Sequence, residues 1–380
     1  MSPNPPREGS ELQALGALDP HATGLAARRI LHDWLALQRA FPLRPALARE
    51  ALAAAGDPGA AVRFAGRPRD EARLARDVET LARVGAIALP IGAPAYPPRL
   101  AALPDAPPLL FVRGDASALL VPAIAVVGAR APTGYGRGVA RAVAGALARA
   151  GLVVVSGLAL GIDAEAHAAA LDAGGLTVAV QACGPERVYP ASHRTLARRI
   201  ADSGAVVTEF PPGTPPLPHH FPLRNRLISG LAQALVVVEA RERSGSLTSA
   251  LHAAEQGRDV FAVPGPIGAP TSAGTNRLLR DGAFPLLEID DVLLRLGLVR
   301  VRRAAAATGG AAEAPRGAAA APRHAAVLRA LRDEPATRDA LGRRLGLTPP
   351  EVALVLLELE LEGLVVEERD GRLHAARSDT

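Results

Sequence analysis

Between residues 124 and 263 short, β-branched apolar runs alternate with Ala-rich stretches of helical length, and this alternation restricts the possible folds more than any other feature. The runs at 124–127, 152–155, 177–181, 205–208, 235–238 and 259–263 are almost wholly apolar and do not alternate with polar residues. A strand of that kind is buried on both faces, as in a parallel sheet covered by crossover helices. Each run is soon followed by Gly, Ser, Pro or Glu, so the loops leaving the C-terminal strand ends are where a ligand crevice is expected. The pattern predicts an α/β fold with a Rossmann-like parallel sheet core over residues 119–299.

The flanks read differently. In residues 1–118, Ala27, Ile30, Leu31, Trp34 and Leu35 fall on one helical face, and the pattern breaks at Asp57-Pro58-Gly59 and in the Pro-rich stretch 93–108. This predicts an N-terminal all-α domain with a connector. Residues 300–322 are Ala, Gly, Arg and Pro with almost no large apolar side chain, the composition of a flexible linker. In residues 323–380, Ala326, Leu328 and Leu331 mark one helix, and Ala340, Leu341 and Leu345 a second that stops at Gly346. Thr348-Pro349-Pro350-Glu351 is a capping box that opens a third helix ending at Gly363, and Asp370-Gly371 turns a hairpin between 364–367 and Leu373. Three helices and a hairpin predict a winged helix. Its third helix carries Glu351, Glu358, Glu360 and Glu362 and no Arg, which phosphate would repel. Protein contact or self-association fits this module better than groove reading, with a plain structural appendage as the alternative.

The 43 basic and 38 acidic residues leave a net charge of +5, and with no Lys in the chain every fixed cation is an Arg. Arg forks suit phosphate, but so small an excess permits a nucleic-acid partner only where the arginines cluster. Cys183 is the only cysteine, so no internal disulfide is possible. No apolar run is long enough to span a bilayer, and the first residues lack a charged start followed by an apolar core. A cytoplasmic chain without membrane attachment is expected.

Three segments carry the chemistry. Run 124–127 leads into Gly128-Ala129-Arg130-Ala131-Pro132-Thr133-Gly134-Tyr135-Gly136 and an Ala-rich helix, the outline of a phosphate cradle with Arg130 as a forked cation. The spacing is not G-x-G-x-x-G, and the second run ends in Ser156-Gly157 where a dinucleotide fold needs an acidic ribose ligand, so no NAD or FAD is expected. Phe221-Pro222-Leu223-Arg224-Asn225-Arg226 could stack a base and hold phosphates; equally, Phe221 could enter the core while the Arg pair neutralises Glu209 or Glu239. Ser244-Gly245-Ser246 opens a helix and offers amide and hydroxyl donors, which a helix cap would also explain.

Catalytic and metal readings find less support. Asp163 and His167 share a helical face without a nucleophile motif beside them, and read as a helix cap and a hydrogen-bonded imidazole. His219-His220 lacks zinc-ligand spacing, and Cys183 lacks an activating base. No catalytic residue, metal or cofactor is assigned.

Several ordered motifs resemble the DNA-processing protein family called DprA or Smf. They are Ala125-Val126-Val127-Gly128-Ala129-Arg130, Val155-Ser156-Gly157-Leu158-Ala159-Leu160-Gly161-Ile162-Asp163, Val188-Tyr189-Pro190, the 221–226 segment, Val238-Glu239-Ala240, Ser244-Gly245-Ser246-Leu247 and the 257–265 stretch. The resemblance implies a non-enzymatic mediator that binds and protects single-stranded DNA and loads the RecA recombinase during natural transformation. It also implies a homodimer, an N-terminal helical domain of the sterile-alpha-motif type and a C-terminal winged helix. The family's DNA pocket maps onto Arg130, Phe221, Arg224, Asn225 and Arg226, and the turns at Gly128, Ser156, Gly157, Ser244, Gly245 and Ser246 complete the expected site. The family often has Lys where this chain has Ala191 and Pro218; Arg187, Arg194, His219 or His220 are the candidate replacements. A nucleotide-binding or nucleoside-phosphate hydrolase-like enzyme on the same core is the alternative, with Glu209 or Glu239 as acid or base.

Overall fold

The computed structural model describes residues 16–22, 24–288 and 290–297, and in the C-terminal module 326–331, 334–348, 351–353, 355–356, 359, 364–367 and 372–375. The predicted linker, Glu358, Glu360, Glu362 and Gly363 of the third winged-helix helix, and the Asp370-Gly371 turn lie outside the described residues. Residues 1–303 form one compact unit and residues 304–380 another.

The first unit opens with helices α1 (Leu25–Ala40), α2 (Pro45–Ala55), α3 (Pro58–Phe64) and α4 (Glu71–Val84). Local chemistry sets their ends. Asp57 and Asp70 accept the Ala60 and Arg73 amides as N-caps, and Gly85 closes α4 in the left-handed region at φ 62°. Asp57-Pro58-Gly59, read as a break, is thus a helix start with Pro at the first position. The buried stripe of α1 is Leu31, Leu35, Ala36 and Leu37; Ala27 and Ile30 of the predicted face point outward.

An all-α reading of residues 1–118 ends at α4. Strands β1 (Ala86–Pro90) and β2 (Leu109–Gly114) follow, joined through the short α5 (Pro98–Ala101), and both belong to the central sheet. The remaining strands are β3 (Ala123–Val127), β4 (Val153–Ser156), β5 (Thr177–Val180), β6 (Ala205–Thr208), β7 (Ala234–Val237), β8 (Asp259–Ala262) and the two-residue β9 (Phe284–Pro285). The order is β1-β2-β6-β5-β4-β3-β7-β8-β9. β1 pairs with β2 and β2 with β6 antiparallel, and every other pairing is parallel. The six predicted runs are therefore the parallel strands β3 to β8, each within a residue at either end.

Crossover helices α6 (Gly134–Arg149), α7 (Ile162–Asp172), α8 (Arg194–Ser203), α9 (His220–Leu231), α10 (Ser246–Glu255) and α11 (Ala273–Arg280) join the parallel strands, and α12 (Asp290–Arg295) follows β9. Strand residues alternate between two cores. Ile124, Val126, Val154, Val236 and Phe261 pack with α6 and α7 on one face, while Ala125, Val127, Val153, Val155 and Leu235 pack with α9 and α10 on the other. The N-terminal helices bury Ala86, Ala88, Leu109 and Phe111 against Leu31, Leu35, Leu74 and Leu81, so they cap the antiparallel end of the sheet.

In the second unit, residues 326–331 are helical, α13 spans Arg338–Leu345 and stops at Gly346 with φ 64°, and β10 (Val365–Glu367) pairs with β11 (Leu373–Ala375). Thr348 donates from its amide and hydroxyl to Glu351 at 2.9 and 2.7 Å, one arm of the predicted capping box. Val327, Leu331, Leu341, Val352, Leu356, Val365 and Leu373 make its core.

A neutral base lies in the interior of the first unit. His167 on α7 is fully buried, and its Nδ1 lies 2.7 Å from Thr177 Oγ1, whose hydroxyl donates to Val154 O at 2.6 Å. With the threonine proton committed, the ring donates from Nδ1 and stays neutral. Burial, with the nearby His193 and Arg224 charges, pushes its pKa down to about 3. Below the ordinary histidine value of about 6.5 the unfolded chain takes up a proton that the folded chain refuses, so stability falls with pH by about 1.4 kcal/mol per unit until about 3. Lowering the pH from 7 to 5 is expected to cost roughly 2 kcal/mol through this group. Urea unfolding at both pH values should show a correspondingly smaller loss in His167→Gln, and equal losses would remove His167 as the cause.

Candidate functional site

The parallel order reverses between β3 and β7: the chain leaves β3 toward β4 and leaves β7 toward β8. At such a switch point the loops part and leave a crevice beyond the strand ends. Here the crevice is a pocket of about 610 Å³. Its walls are the loop after β3 (Val127 to Ala131), the start of α9 (Phe221 to Asn225), and the Arg241 to Ser249 segment that opens α10.

Arg224 forms the floor. It is 4% exposed; its guanidinium donates to Gly157 O at 2.6 Å and to Val180 O, and its Nε to Asn225 Oδ1 at 3.2 Å. A buried cation needs acceptors on this scale, because desolvation otherwise forbids it. Burial lowers its pKa to about 10, an effect Asp163 opposes and Arg130 reinforces, so it is a cation at pH 7. Asp163 lies at the start of α7 and accepts the Gly157 and Ala159 amides at 3.1 and 3.3 Å. Its carboxyl is pushed up by burial against the pull of Arg224 and those amides. The predicted cap on α7 is thus an acceptor for the loop that follows β4.

Above the floor sits Phe221. The Arg130 guanidinium lies 5.3 Å and the Arg224 guanidinium 5.9 Å from its ring centre, with the Tyr189 ring tilted against it at 5.5 Å. Both distances are within cation–π range. Asn225 donates to Gly245 O at 3.2 Å and so ties α9 to the Ser244-Gly245-Ser246 turn, where the two serine hydroxyls are 2.7 Å apart. Arg130, Arg241 and Arg243 are exposed at the rim, and among the described residues none of them pairs with a carboxylate. Together with the first turn of α10 they make a strongly cationic opening.

Of the residues named from sequence, Gly128, Arg130, Phe221, Arg224, Asn225, Ser244, Gly245 and Ser246 meet in this pocket. Ser156, Gly157 and Arg226 do not. Ser156 is buried and donates to Val126 O at 2.6 Å. Gly157 lies beneath the wall as an acceptor for Arg224. Arg226 turns the other way, to Glu209 and to Asp105, whose carboxylate is 3.3 Å and whose carbonyl 2.9 Å from it. The phosphate-gripping role expected of Arg226 is therefore replaced by neutralisation of Glu209, because a buried carboxylate on β6's edge needs a counter-charge. Arg187 pairs with Glu186, and neither it nor Arg194 lines the pocket.

Sequence reading passed over Arg241, Arg243 and Tyr189 as wall residues. The signal was present for the arginines, two cations directly before a Ser-Gly-Ser helix start. Glu239 and Glu209 are both engaged. Glu239 accepts the Thr133 amide at 2.9 Å and the Thr133 hydroxyl, fastening the end of β7 to the N-cap of α6. Among the described residues, no cluster of metal-ligating side chains occurs and no helix is long and apolar enough to cross a membrane.

The family model described as DNA recombination-mediator protein A matches residues 88–297, and the model of the DprA winged helix domain matches residues 311–371. The chain belongs to the DprA (Smf) family. The DprA core begins inside β1 at residue 88, in agreement with a sheet that starts before residue 119. Protein Smf of Escherichia coli (strain K12) is 41% identical over 293 residues, covering 76% of this chain and 78% of that protein. DNA processing protein DprA of Bacillus subtilis (strain 168) is 40% identical over 225 residues, 59% of this chain and 76% of its own. The X-ray structure of DprA from Streptococcus pneumoniae superposes with a TM-score of 0.60 at 34% identity, covering 68% of this chain and 95% of that one. DNA processing protein A from Helicobacter pylori, solved for its single-stranded DNA binding mode, gives 0.50 at 32% identity over 53% of this chain and 92% of its own.

The floor depends on a missing side chain. A Cβ on Gly157 would lie 2.7 Å from the Arg224 guanidinium and 2.8 Å from Asp163 Oδ2. Gly157→Ala is expected to push Arg224 out of place and lower stability by about 1–3 kcal/mol, read as a lower urea midpoint. An unchanged midpoint would mean that the guanidinium is not confined there.

Proposed function

We propose that the switch-point pocket binds single-stranded DNA and that the protein acts as a non-enzymatic recombination mediator. The supporting observation is that Arg130, Arg241 and Arg243 converge, unpaired, on an aromatic pair that could contact bases. In this reading those arginines and the first turn of α10 take phosphates, Phe221 and Tyr189 face bases, and Arg224 supplies a fixed positive floor. Contacts to backbone and ring faces read no base edges, so sequence preference is slight. The H. pylori relative, solved with attention to single-stranded DNA, supports the same assignment.

A nucleoside-phosphate hydrolase on this core would need Glu209 or Glu239 free to act as acid or base. Glu209 is paired with Arg226 and Glu239 holds Thr133, which argues against that reading. Protection of incoming DNA, loading of RecA during transformation and assembly as a homodimer in the cytoplasm belong to the same proposal. They rest on family membership.

Salt titration of oligo-dT binding tests the pocket. Each lost single-strand phosphate contact lowers the log–log salt slope by about 0.7, so Arg130→Ala should lose about 0.7 and the Arg241→Ala/Arg243→Ala pair about 1.4. Gel shifts with single-stranded and duplex DNA of equal length should favour the single strand. A duplex preference, or an unchanged slope in all these variants, would overturn the assignment.

A further inference from the structure

The switch-point pocket does not end at its own walls. Pro222 on α9 and Thr248 on α10 also line a neighbouring groove of about 620 Å³, together with Leu43 and Arg44 of the α1–α2 loop and Leu47 of α2. Leu43 and Arg44 in turn line a third hollow of about 310 Å³, where Phe41 and Arg73 are further walls. Shared lining residues therefore set the three hollows in a row, as one furrow from Arg130 after β3 to Arg73 on α4.

Charge is sorted along this furrow. The carboxylates that line it are Asp163, Asp105 and Glu209. Asp163 is drawn on by Arg224, and a single side chain, Arg226, holds the other two, Asp105 at 3.3 Å and Glu209 in a buried pair. The lining arginines without a carboxylate partner among the described residues are Arg130, Arg241 and Arg243 at one end, and Arg44 and Arg73, both exposed, at the other. Between these ends the walls are largely apolar: Leu43 is 45% and Leu47 42% exposed, and Pro222 and Leu223 line the same groove. Base faces are apolar while each phosphodiester carries a full charge, so a strand can lay its bases on such a wall and its phosphates on the arginines at both ends. An apolar peptide would use the leucines and leave the cations idle.

We propose that single-stranded DNA continues from the switch-point pocket along this furrow, and that the N-terminal helices supply a second phosphate-binding end through Arg44 and Arg73. The inference rests on the switch-point pocket as a DNA site and extends it: the strand beyond the pocket lies across Pro222 and Leu47 instead of in solvent. Arg226 then serves binding without touching DNA, because by holding Asp105 and Glu209 it keeps two negative charges from repelling the strand. A pocket alone engages a few nucleotides, whereas a furrow that reaches α4 makes affinity and salt dependence grow with strand length.

Salt titrations of the full chain with a short oligo-dT of about 4 nucleotides and a long one of about 16 test this. Arg44→Ala/Arg73→Ala should lower the log–log salt slope by about 1.4 with the long strand, leave the short strand's slope unchanged, and leave the melting temperature of the free protein unchanged. Arg130→Ala should lower the slope by about 0.7 at both lengths. Leu47→Glu, which sets a carboxylate in the middle of the furrow, should weaken the long strand roughly tenfold and spare the short one. Arg63→Ala/Arg83→Ala, which removes two exposed arginines outside the furrow, should change neither slope. If Arg130→Ala acts at both lengths while Arg44→Ala/Arg73→Ala or Leu47→Glu leaves the long strand unaffected, the extension falls and the pocket stands. Equal slope losses at both lengths in Arg44→Ala/Arg73→Ala, or a loss in the Arg63/Arg83 variant as large, would mark a general effect of charge and overturn the inference. An Arg130→Ala variant without effect at either length would sink the pocket reading itself, and the extension with it.

Discussion

A single buried guanidinium organises the functional end of this sheet. Arg224 reaches from α9 to the carbonyls of Gly157 and Val180, at the C-terminal ends of β4 and β5, with the Asp163 carboxyl beside it. Taking an arginine out of water is tolerable only where such acceptors are fixed in advance, and they are fixed here by the strands and by the absence of a Cβ at Gly157. Once Arg224 is seated, the start of α9 cannot turn freely. Phe221 is carried under Arg130, Asn225 meets Gly245, and three chain segments become one pocket.

The same economy governs the acidic groups near the sheet rim. Asp163, Glu239 and Glu209 are each spent on a loop, a helix cap or a buried arginine, so their charges hold the scaffold together instead of facing the opening. Arg130, Arg241 and Arg243 then face solvent with little to neutralise them. A chain with a net charge of only +5 can in this way present a cationic surface where a polyanion would lie, because charge placement matters more than charge total.

The N-terminal module illustrates where residue patterns mislead. β1 reads Ala-Ile-Ala-Leu-Pro and sits between a helix and a Pro-rich stretch, so nothing local separates it from the end of a helical domain. It is a strand because β2 offers it a partner, and β2 is held in turn by β6, almost a hundred residues on. Similarly, Ala27 and Ile30 fit the helical face drawn through Leu31 and Leu35, yet only the latter pair finds a core to enter. The parallel strands, by contrast, were legible to within a residue, because a strand buried on both faces must be apolar throughout.

What the residues alone determined was short-range: the six parallel strands, the capping box at Thr348, the Gly-rich turn after β3, and the clustering of Arg130, Phe221 and Arg224 in family-like motifs. Only the tertiary structure decided which arginines face outward. Arg224 and Arg226 are two positions apart on one helix, yet one lies under the pocket and the other runs to Glu209 and to Asp105, 121 residues earlier in the chain. The hydrogen bond from the Gln38 amide to the Glu209 carbonyl, across 171 residues, is equally invisible in the sequence. A guanidinium or a carboxamide goes where its acceptors are, and acceptors contributed by distant segments have no signature in the local order of residues.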